Sequence, residues 1–410
     1  MLKVADATVS ALKAGEVVGG YAWPVGDATR LPAFLRWSRE QGAVVTLIEA
    51  TRDWDLTFGS EFVLHFGTSD GEEITVLNAR VRKGTVLERV SELAGYTLVV
   101  GGHVQPEDRW SRASLGTANL SEWRPATGIR TSHSVEPALH LRLDWESPPA
   151  DKVELNGDQL TFTTSMSSTG TAYAPDWSVT TWQTLIVDPA APLTIAEFHR
   201  RFGEPLRALA TVASDRPDSL TNETMIDPQT GRSYEVWREG PQVAPRPWRP
   251  NDGYLFQAHD LPDFAAGIRA WWKLHEQIYP ALGVFAQHIE DGNTYSPARL
   301  LTVYSALETY CRMRHGSKDL RRMRTYAGVP NAVTGCTNDA LDLLGFCRGY
   351  FMHFTRPQTR FTPGDADAGA FPSIRRASAL MQACLLRDLG LDAASVEARL
   401  NAHYANWPIP

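Results

Sequence analysis

Short runs of β-branched and aromatic residues alternate with Gly, Asp, Asn and Pro between residues 43 and 187. This alternation is typical of antiparallel sheets, in which short strands are joined by tight turns. The turn residues Asn156, Gly157 and Asp158 separate two such runs, 152–155 and 159–163, and indicate a hairpin. Further strands are predicted at 44–48, 61–66, 74–81, 96–100, 139–143 and 180–187.

The apolar pattern becomes helical after residue 194. Two helices are predicted at 194–202 and 204–214, before a polar, proline-rich stretch that indicates a connector, in which the run 234–237 can form one more strand. From residue 261 onward apolar residues recur at spacings of three and four, which is the period of an α-helix. They predict helices that include 296–314, 338–354, 373–390 and 393–404, with a loop at 363–372.

These patterns together predict an α+β protein. A β-rich antiparallel domain at residues 1–214 ends in two helices, a connector follows at 215–260, and an all-α helical bundle occupies 261–410. The chain has 410 residues, of which 43% are hydrophobic, so each part can bury a sizeable core.

Charge and composition narrow the classes of function. The net charge of -7 argues against a protein that coats nucleic acid with its whole surface, but it permits a local basic patch. The N-terminus lacks a signal-peptide pattern, and no apolar run approaches the roughly 20 residues that cross a bilayer. We therefore expect a cytoplasmic protein without membrane contact. The cysteines have no CxxC spacing and are expected to be buried thiols: Cys311, Cys336, Cys347 and Cys384.

Arg348 and His353 stand out because both lie in a strongly apolar segment that is predicted to be helical. Burying a guanidinium or an imidazole without a partner is costly. Five residues turn an ideal helix by about 140° from a shared face, so the two side chains approach each other only if the helix ends or bulges near His353. A purely structural explanation is a salt bridge for Arg348 and a helix C-terminus for His353, where the helix dipole favours a cation.

Two segments resemble the core helices of a known family. Residues 299–312, centred on Ala306, Leu307 and Glu308, and the Rx4H stretch from Arg348 to His353 are similar to the paired helices of HEPN domains. The similarity is to the ApeA-like HEPN proteins of bacterial anti-phage systems, and the β-rich half also resembles the ApeA N-terminal domain. The resemblance implies a metal-independent HEPN ribonuclease without a cofactor. Its implied role is anti-phage defence by abortive infection, with cellular RNA such as tRNA as the target.

The resemblance also implies a homodimer in which the Rx4H helices of two protomers form one cleft. RNA cleavage without a metal needs a base for the 2′-hydroxyl, an acid for the leaving oxygen and a cation for the phosphorane. Two copies of His353 can share the first two roles, because an imidazole exists in both protonation states near neutral pH. Arg348 would clamp the phosphate. Glu308 would orient Arg348 or His353, or would simply pair with Arg312 four residues later.

A basic cluster follows the first of these helices in an otherwise acidic chain. It can track an RNA backbone through contacts to phosphates, or it can be a solvated helix end. With Tyr350, the predicted RNA-binding residues are Arg312, Arg314, Lys318, Arg321, Arg322 and Arg324. Trp271, Trp272 and Tyr279 can form a base-stacking platform, but their helical spacing favours core packing.

Three other functions stay open. Gly349 follows Arg348 where HEPN motifs usually have a polar residue, often Asn, so the helices can instead form a non-catalytic dimerisation or RNA-binding module. The β-rich half can be a ligand-binding sandwich with the helices as a scaffold. His133, Glu136 and His140 can hold a metal in a hydrolase that chelators inactivate. In the ribonuclease interpretation, the N-terminal domain is the natural sensor of a phage-derived or cellular trigger.

Overall fold

The computed structural model describes residues 5–48, 54, 60–83, 92–126, 128–134, 140–169, 178–227, 229–240, 253–291, 296–353 and 360–405. Within these ranges a β-rich N-terminal region is followed by a helical C-terminal region. The predicted α+β organisation is therefore confirmed.

A closed antiparallel barrel forms the first part of the β-rich region. Its strands are β1 (Val17–Pro24), β2 (Leu31–Ser38), β3 (Gly42–Leu47), β4 (Phe62–Thr68), β5 (Glu73–Lys83) and β6 (Glu92–Gly95). The order β4-β1-β2-β3-β6 closes on itself because β5 pairs with both β4 and β6. Alternate residues such as Leu35, Leu64 and Phe66 fill the interior, and helix α1 (Ala5–Lys13) packs on β1 and β2.

An open sheet continues from the barrel through β7 (Thr97–Val100), which pairs with β5 on one side and with β15 (Ser233–Arg238) on the other. Its order is β7-β15-β14-β8-β13-β12-β11. The remaining strands of this sheet are β8 (Arg112–Thr117), β11 (Asp151–Leu155), β12 (Asp158–Thr169), β13 (Ser178–Asp188) and β14 (Leu220–Ile226). A two-stranded sheet pairs β9 (Ile129–Ser134) with β10 (His140–Trp145).

Short helices cover the open sheet and lead to the helical region. Helices α2 (Leu120–Trp123) and α4 (Glu204–Ser214) pack on the sheet, and α3 (Ile195–Phe198) precedes α4. Thr194 begins α3 with a capping box, in which its hydroxyl accepts from the Glu197 N–H and the Glu197 carboxylate accepts from the Thr194 N–H. Between α3 and α4 the chain makes one π-helical turn, His199–Gly203.

The C-terminal region is helical throughout the residues that the structure describes. Its helices are α5 (Phe264–Glu290), α6 (Pro297–His315), α7 (Arg321–Ala327), α8 (Asn331–Thr334), α9 (Asn338–His353), α10 (Pro363–Asp388) and α11 (Ala393–His403). Helix α5 is kinked at Ile278, two residues before Pro280, whose ring and missing N–H disrupt a helix. Helix α10 packs against α5, α6, α7, α8, α9 and α11.

One hydrophobic core joins the open sheet to the helices. Phe202 of the π-helical turn, Trp271 of α5 and Tyr310 of α6 belong to the same buried cluster. Trp271 donates its Nε1–H to the Pro205 carbonyl at 2.8 Å, and Trp272 donates to the Arg201 carbonyl at 3.0 Å. The expectation of core packing is thus confirmed for both tryptophans, whereas Tyr279 is 49% exposed.

The structure differs from the sequence-based prediction in two segments. The stretch 215–260, predicted as a connector that could include one strand at 234–237, supplies β15 at that run and also β14 to the open sheet. The charge of Glu223 hides the apolar alternation of β14, yet this residue is buried and pairs with Arg238 of β15 at 2.7 Å. The stretch 363–372, predicted as a loop, forms the first turns of α10, because Thr362 and Asp365 make a capping box and Pro363 occupies a first-turn position.

Two further expectations concern the cysteines and membrane-spanning helices. Cys311, Cys336, Cys347 and Cys384 are all buried and form no disulfide, as expected. Burial raises the pKa of Cys336 and of Cys347 to about 11, so these thiols stay protonated at neutral pH. Among the described helices, none combines the length and the apolar character that a bilayer-spanning segment needs.

Candidate active site

Arg348 is half-buried on α9 where this helix packs against α6. Its guanidinium carbon lies 5.7 Å from the centre of the Tyr304 ring, and its Nη2 lies 3.9 Å from Glu308 Oε2. Tyr304 and Glu308 are one turn apart on α6, so the same helix face holds the guanidinium. The Arg348 side chain is still 37% exposed, which leaves it open to a ligand from solvent.

Glu308 is the centre of this arrangement and faces three cations. Its Oε1 lies 3.2 Å from Arg312 Nη2 and 3.7 Å from Lys318 Nζ, and its Oε2 faces Arg348. The pair with Arg312 is the closest of the three. The predicted Glu308–Arg312 pair and the contact of Glu308 with Arg348 therefore occur together. One carboxylate cannot neutralise three cations, and the group therefore carries a net positive charge that favours an anion.

His353 is the last residue of α9 and is exposed. The helix remains regular up to this residue, so it does not end early or bulge to bring the two side chains to one face. Among the described residues, His353 has no hydrogen bond or ion pair. Within one chain, the structure thus groups Arg348 with Glu308 and leaves His353 apart.

The predicted basic cluster divides into two groups. Arg312 and Lys318 lie beside Glu308, as described above. The other members hold helices together: Arg314 pairs with Asp388 at 2.6 Å, Arg321 with Asp342 at 2.5 Å, Arg322 donates to the His315 carbonyl at 3.1 Å, and Arg324 donates to Asn338 Oδ1 at 2.9 Å. In this chain those four arginines have structural partners, so an RNA contact would compete with packing interactions.

Asp388 is a buried anchor that sequence reasoning missed. Its carboxylate, 2% exposed, accepts hydrogen bonds from Arg314 at 2.6 Å, from the Tyr310 hydroxyl at 2.6 Å and from the Tyr326 hydroxyl at 2.7 Å. Burial and the bond to Asp388 raise the pKa of Tyr326 to about 12. These contacts join α6, α7 and α10 behind the Glu308 group. No local motif announces them, because the partners lie far apart in sequence.

Comparison with known proteins identifies the β-rich region. The family model described as ApeA N-terminal domain 1 matches residues 18–271, which is more than half of the chain. The chain belongs to the ApeA N-terminal domain 1 family. No curated protein and no solved structure matches. This ApeA family is linked to anti-phage defence proteins.

The ApeA match ends within α5, so the α6–α9 site lies beyond it. It runs through β14, β15 and the first turns of α5 without a break, which agrees with the shared core of sheet and helices. The matched ApeA region is therefore larger than the domain 1–214 that the sequence pattern suggests. The ApeA match therefore says nothing about Glu308, Arg348 and His353, which all lie after residue 271.

Gly349 departs from the polar residue usual in HEPN motifs. A Cβ at this position would meet no atom within 4 Å outside the helix's own backbone. Packing in the ApeA-family chain therefore does not require glycine here. Next to it, Tyr350 is half-buried and its ring lies 6.2 Å from Phe346 and 5.3 Å from Phe351, in a small apolar cluster between α9 and α10.

The metal alternative concerns β9 and β10. His133 and His140 lie on these paired strands, with His133 opposite Leu141 and His140 opposite Ser134. Glu136 falls outside the described residues. Among the residues that are described, no three His, Cys, Asp or Glu side chains form a group that could hold a metal ion.

Proposed function

We propose that this chain is a metal-independent RNA endonuclease of the HEPN type that acts in anti-phage defence on cellular RNA such as tRNA. The observation that carries the proposal is the half-exposed Arg348 guanidinium, which shares one carboxylate with two further cations. An exposed histidine, His353, which has no partner among the described residues, ends the same helix. A guanidinium for phosphate and a free imidazole for proton transfer are the groups that metal-free RNA cleavage requires.

Arg348 is assigned to the scissile phosphate. A guanidinium can donate two parallel hydrogen bonds to a phosphate and can stabilise the charge that builds up on the phosphorane. Glu308 and the Tyr304 ring limit the positions that the side chain can take, so less order has to be gained when RNA binds. Arg312 and Lys318 add positive charge beside it and are assigned to neighbouring phosphates.

Proton transfer supplies the argument for a homodimer. One His353 per chain cannot take the proton of the 2′-hydroxyl and protonate the leaving 5′ oxygen in the same step. A second copy of α9 at the same cleft supplies the missing imidazole, so that one His353 acts as base and its counterpart as acid. The products would carry a 2′,3′-cyclic phosphate and a 5′-hydroxyl.

A ribonuclease that acts on the host's own RNA has to be restrained until infection. The ApeA N-terminal region is assigned to sensing a phage-derived or cellular trigger. Its open sheet shares a core with α5 and α6, and α6 carries Tyr304 and Glu308. A change in the N-terminal region therefore has a direct packing route to the helix that holds Arg348.

The test is incubation of the purified full-length protein with total bacterial RNA in EDTA, followed by analysis of the fragment ends. Wild type is compared with His353→Ala and with His259→Ala, which removes another exposed histidine located before α5. We expect cyclic phosphate ends from wild type and from His259→Ala, and none from His353→Ala.

Three outcomes would contradict the assignment. Equal cleavage by His353→Ala would remove His353 from the chemistry. RNA binding without any cleavage, before and after addition of a phage-infected cell extract, would support the non-catalytic module that Gly349 suggests. Cleavage that EDTA abolishes would instead favour a metal site.

A further inference from the structure

A cleft of about 930 Å³ lies where the open sheet meets the first half of α5. One wall is α5 from Arg269 to Tyr279. The opposite wall is the turn between β11 and β12 together with the π-helical turn His199–Gly203. Its size is at the upper end of the range for small-molecule sites, about 300–1,000 Å³. It shares no residue with the α6–α9 site.

The α5 wall presents charged and aromatic groups in a fixed order. Arg269, Lys273, Glu276 and Tyr279 follow each other at spacings of three and four and so lie on one helix face. The distance along the axis from the first to the last is ~15 Å, at 1.5 Å per residue. Cations occupy one end of the cleft and the exposed Tyr279 ring occupies the other.

Three cations at the cleft are available to a ligand. Arg269, Lys273 and, on the opposite wall, Arg200 are exposed and make no hydrogen bond or ion pair with any described residue. Two other lining arginines are occupied: Arg201 pairs with Asp158 at 2.5 Å, and Arg238 pairs with the buried Glu223. No described carboxylate therefore neutralises these three cations, and they can form charge-assisted hydrogen bonds with an anionic ligand.

One buried histidine, His275, and one half-buried histidine, His199, line the cleft. His275 is buried and its ring lies 5.3 Å from the Tyr279 ring. Burial lowers the pKa of His199 to about 3 and of His275 to about 4, so both are neutral at physiological pH. His199 Nε2 lies 3.8 Å from Glu204 Oε1, while its Nδ1 is enclosed beside Gly203 and has no hydrogen-bond partner among the described residues.

The π-helical turn adds a second independent indication. One-turn π-helices inside α-helical segments occur often at functional sites, because they displace side chains from regular positions. Here the turn places His199, Arg200 and Arg201 on the cleft wall. The indole of Trp272 fixes this turn to α5 by donating to the Arg201 carbonyl.

We propose that this cleft binds a nucleotide, with the phosphates on Arg200, Arg269 and Lys273 and the base on the Tyr279 ring. The carboxylates of Glu154 and Glu276, which make no ion pair with a described residue, also line the cleft, and they can accept hydrogen bonds from ribose hydroxyls or exocyclic amines. The same carboxylates disfavour a ligand that is anionic along its whole length. The site does not depend on the proposed ribonuclease activity.

The test is isothermal titration of the full-length protein with ADP, GDP, CDP and UDP, together with pyrophosphate. At least one nucleotide is expected to bind more tightly than pyrophosphate. Lys273→Glu is expected to weaken that binding at least about tenfold, because it replaces a phosphate donor with a repelling charge. Tyr279→Ala should also weaken it at least about tenfold through loss of base stacking. Lys152→Glu, an exposed lysine on β11 outside the cleft, is the matched control and should bind like wild type.

Three results would overturn the proposal. They are no binding of any of the four nucleotides, equal binding of pyrophosphate and nucleotides, and wild-type affinity in both Lys273→Glu and Tyr279→Ala. Both variant positions are exposed, so the variants should keep the wild-type melting temperature, which is measured in parallel. His353→Ala should bind the nucleotide unchanged, which separates a failure of this proposal from a failure of the ribonuclease proposal.

Discussion

Replacing Arg348 distinguishes a catalytic role from a structural one. A catalytic role predicts a large loss of cleavage rate and a small loss of stability, whereas a structural role predicts the reverse. Its pair with Glu308 is long, at 3.9 Å, and the side chain is 37% exposed. An exposed ion pair contributes at most about 1 kcal/mol, and an exposed cation–π contact such as that with Tyr304 about 0.5–1 kcal/mol. Arg348→Ala should therefore lower the free energy of unfolding by no more than about 2 kcal/mol.

The expected loss of activity from Arg348→Ala is much larger. Removing one preorganised donor from the charge that develops in a transition state costs about 10²–10³ in rate. Arg348→Lys keeps the charge but loses the two-pronged geometry, so its rate should fall between those of Arg348→Ala and wild type. Activity and stability should thus separate, with a large rate effect on a protein that remains folded.

The assay combines initial rates of RNA cleavage in EDTA with urea unfolding of the same preparations. Arg130→Ala is the control, since Arg130 is also an exposed arginine paired with a glutamate, Glu146, at 3.5 Å. It should cleave at the wild-type rate. The catalytic assignment of Arg348 is refuted if Arg348→Ala also cleaves at that rate, or if its lost activity is explained by an unfolded protein.

Three further predictions concern stability and are measured by urea unfolding. Gly349→Ala should raise the free energy of unfolding by about 0.5–1 kcal/mol, because the helix has open space there. Asp388→Asn should lower it by about 1.5–3 kcal/mol, since the charge-assisted hydrogen bond from the partly exposed Arg314 is lost. Burial lowers the pKa of His275 and of His288 to about 4, so stability is full above pH 6.5 and falls as pH decreases, by about 2 kcal/mol for each histidine at pH 5.

Each of these has a clear contrary result. Lower stability in Gly349→Ala would mean that the position needs glycine in the folded assembly, for example where two copies of α9 meet. A loss under about 1 kcal/mol in Asp388→Asn would mean that Tyr310 and Tyr326 satisfy the site without the charge. Because the pKa of buried Asp218 is raised to about 6 and acts in the opposite direction, the histidine effect is isolated by variants: an unchanged pH dependence between pH 7 and pH 5 in His275→Gln and His288→Gln would refute it.

Local sequence patterns predicted three of the barrel strands, β3, β4 and β5, and most helices, but not β1, β2, β6 or the closure of the barrel. Two of the segments that were predicted differently have physical causes. In β14 a buried charge interrupts the apolar alternation, and only the pairing of Glu223 with Arg238 across two strands makes it tolerable. At the start of α10 the composition suggests a loop. Gly369 permits close packing there, because a Cβ would lie 2.9 Å from a terminal methyl of Leu343 on α9, and that side chain would have to shift.

The candidate site could be predicted only in part from the sequence, because some of its contacts join residues that lie far apart along the chain. The helical spacing of Glu308 and Arg312 predicts their contact, which the structure contains at 3.2 Å. Lys318 reaches Glu308 only because the chain turns back after α6, and Arg348 arrives from a separate helix. Neither approach leaves a local signal. The angle between Arg348 and His353, by contrast, follows from helix geometry alone, and α9 remains regular up to His353.

The shared core limits how the N-terminal region can control the site. Cutting the chain between sheet and helices would expose Phe202 and Trp271, so a truncated protein would test folding rather than regulation. The two regions are also fastened by Arg207 of α4, which pairs with Glu290 of α5 at 2.5 Å beyond the kink. Separating the two regions to control the site would therefore cost much free energy. Small shifts of α5 against α6 would cost far less free energy. They would change the positions of Tyr304 and Glu308, which contact the Arg348 guanidinium.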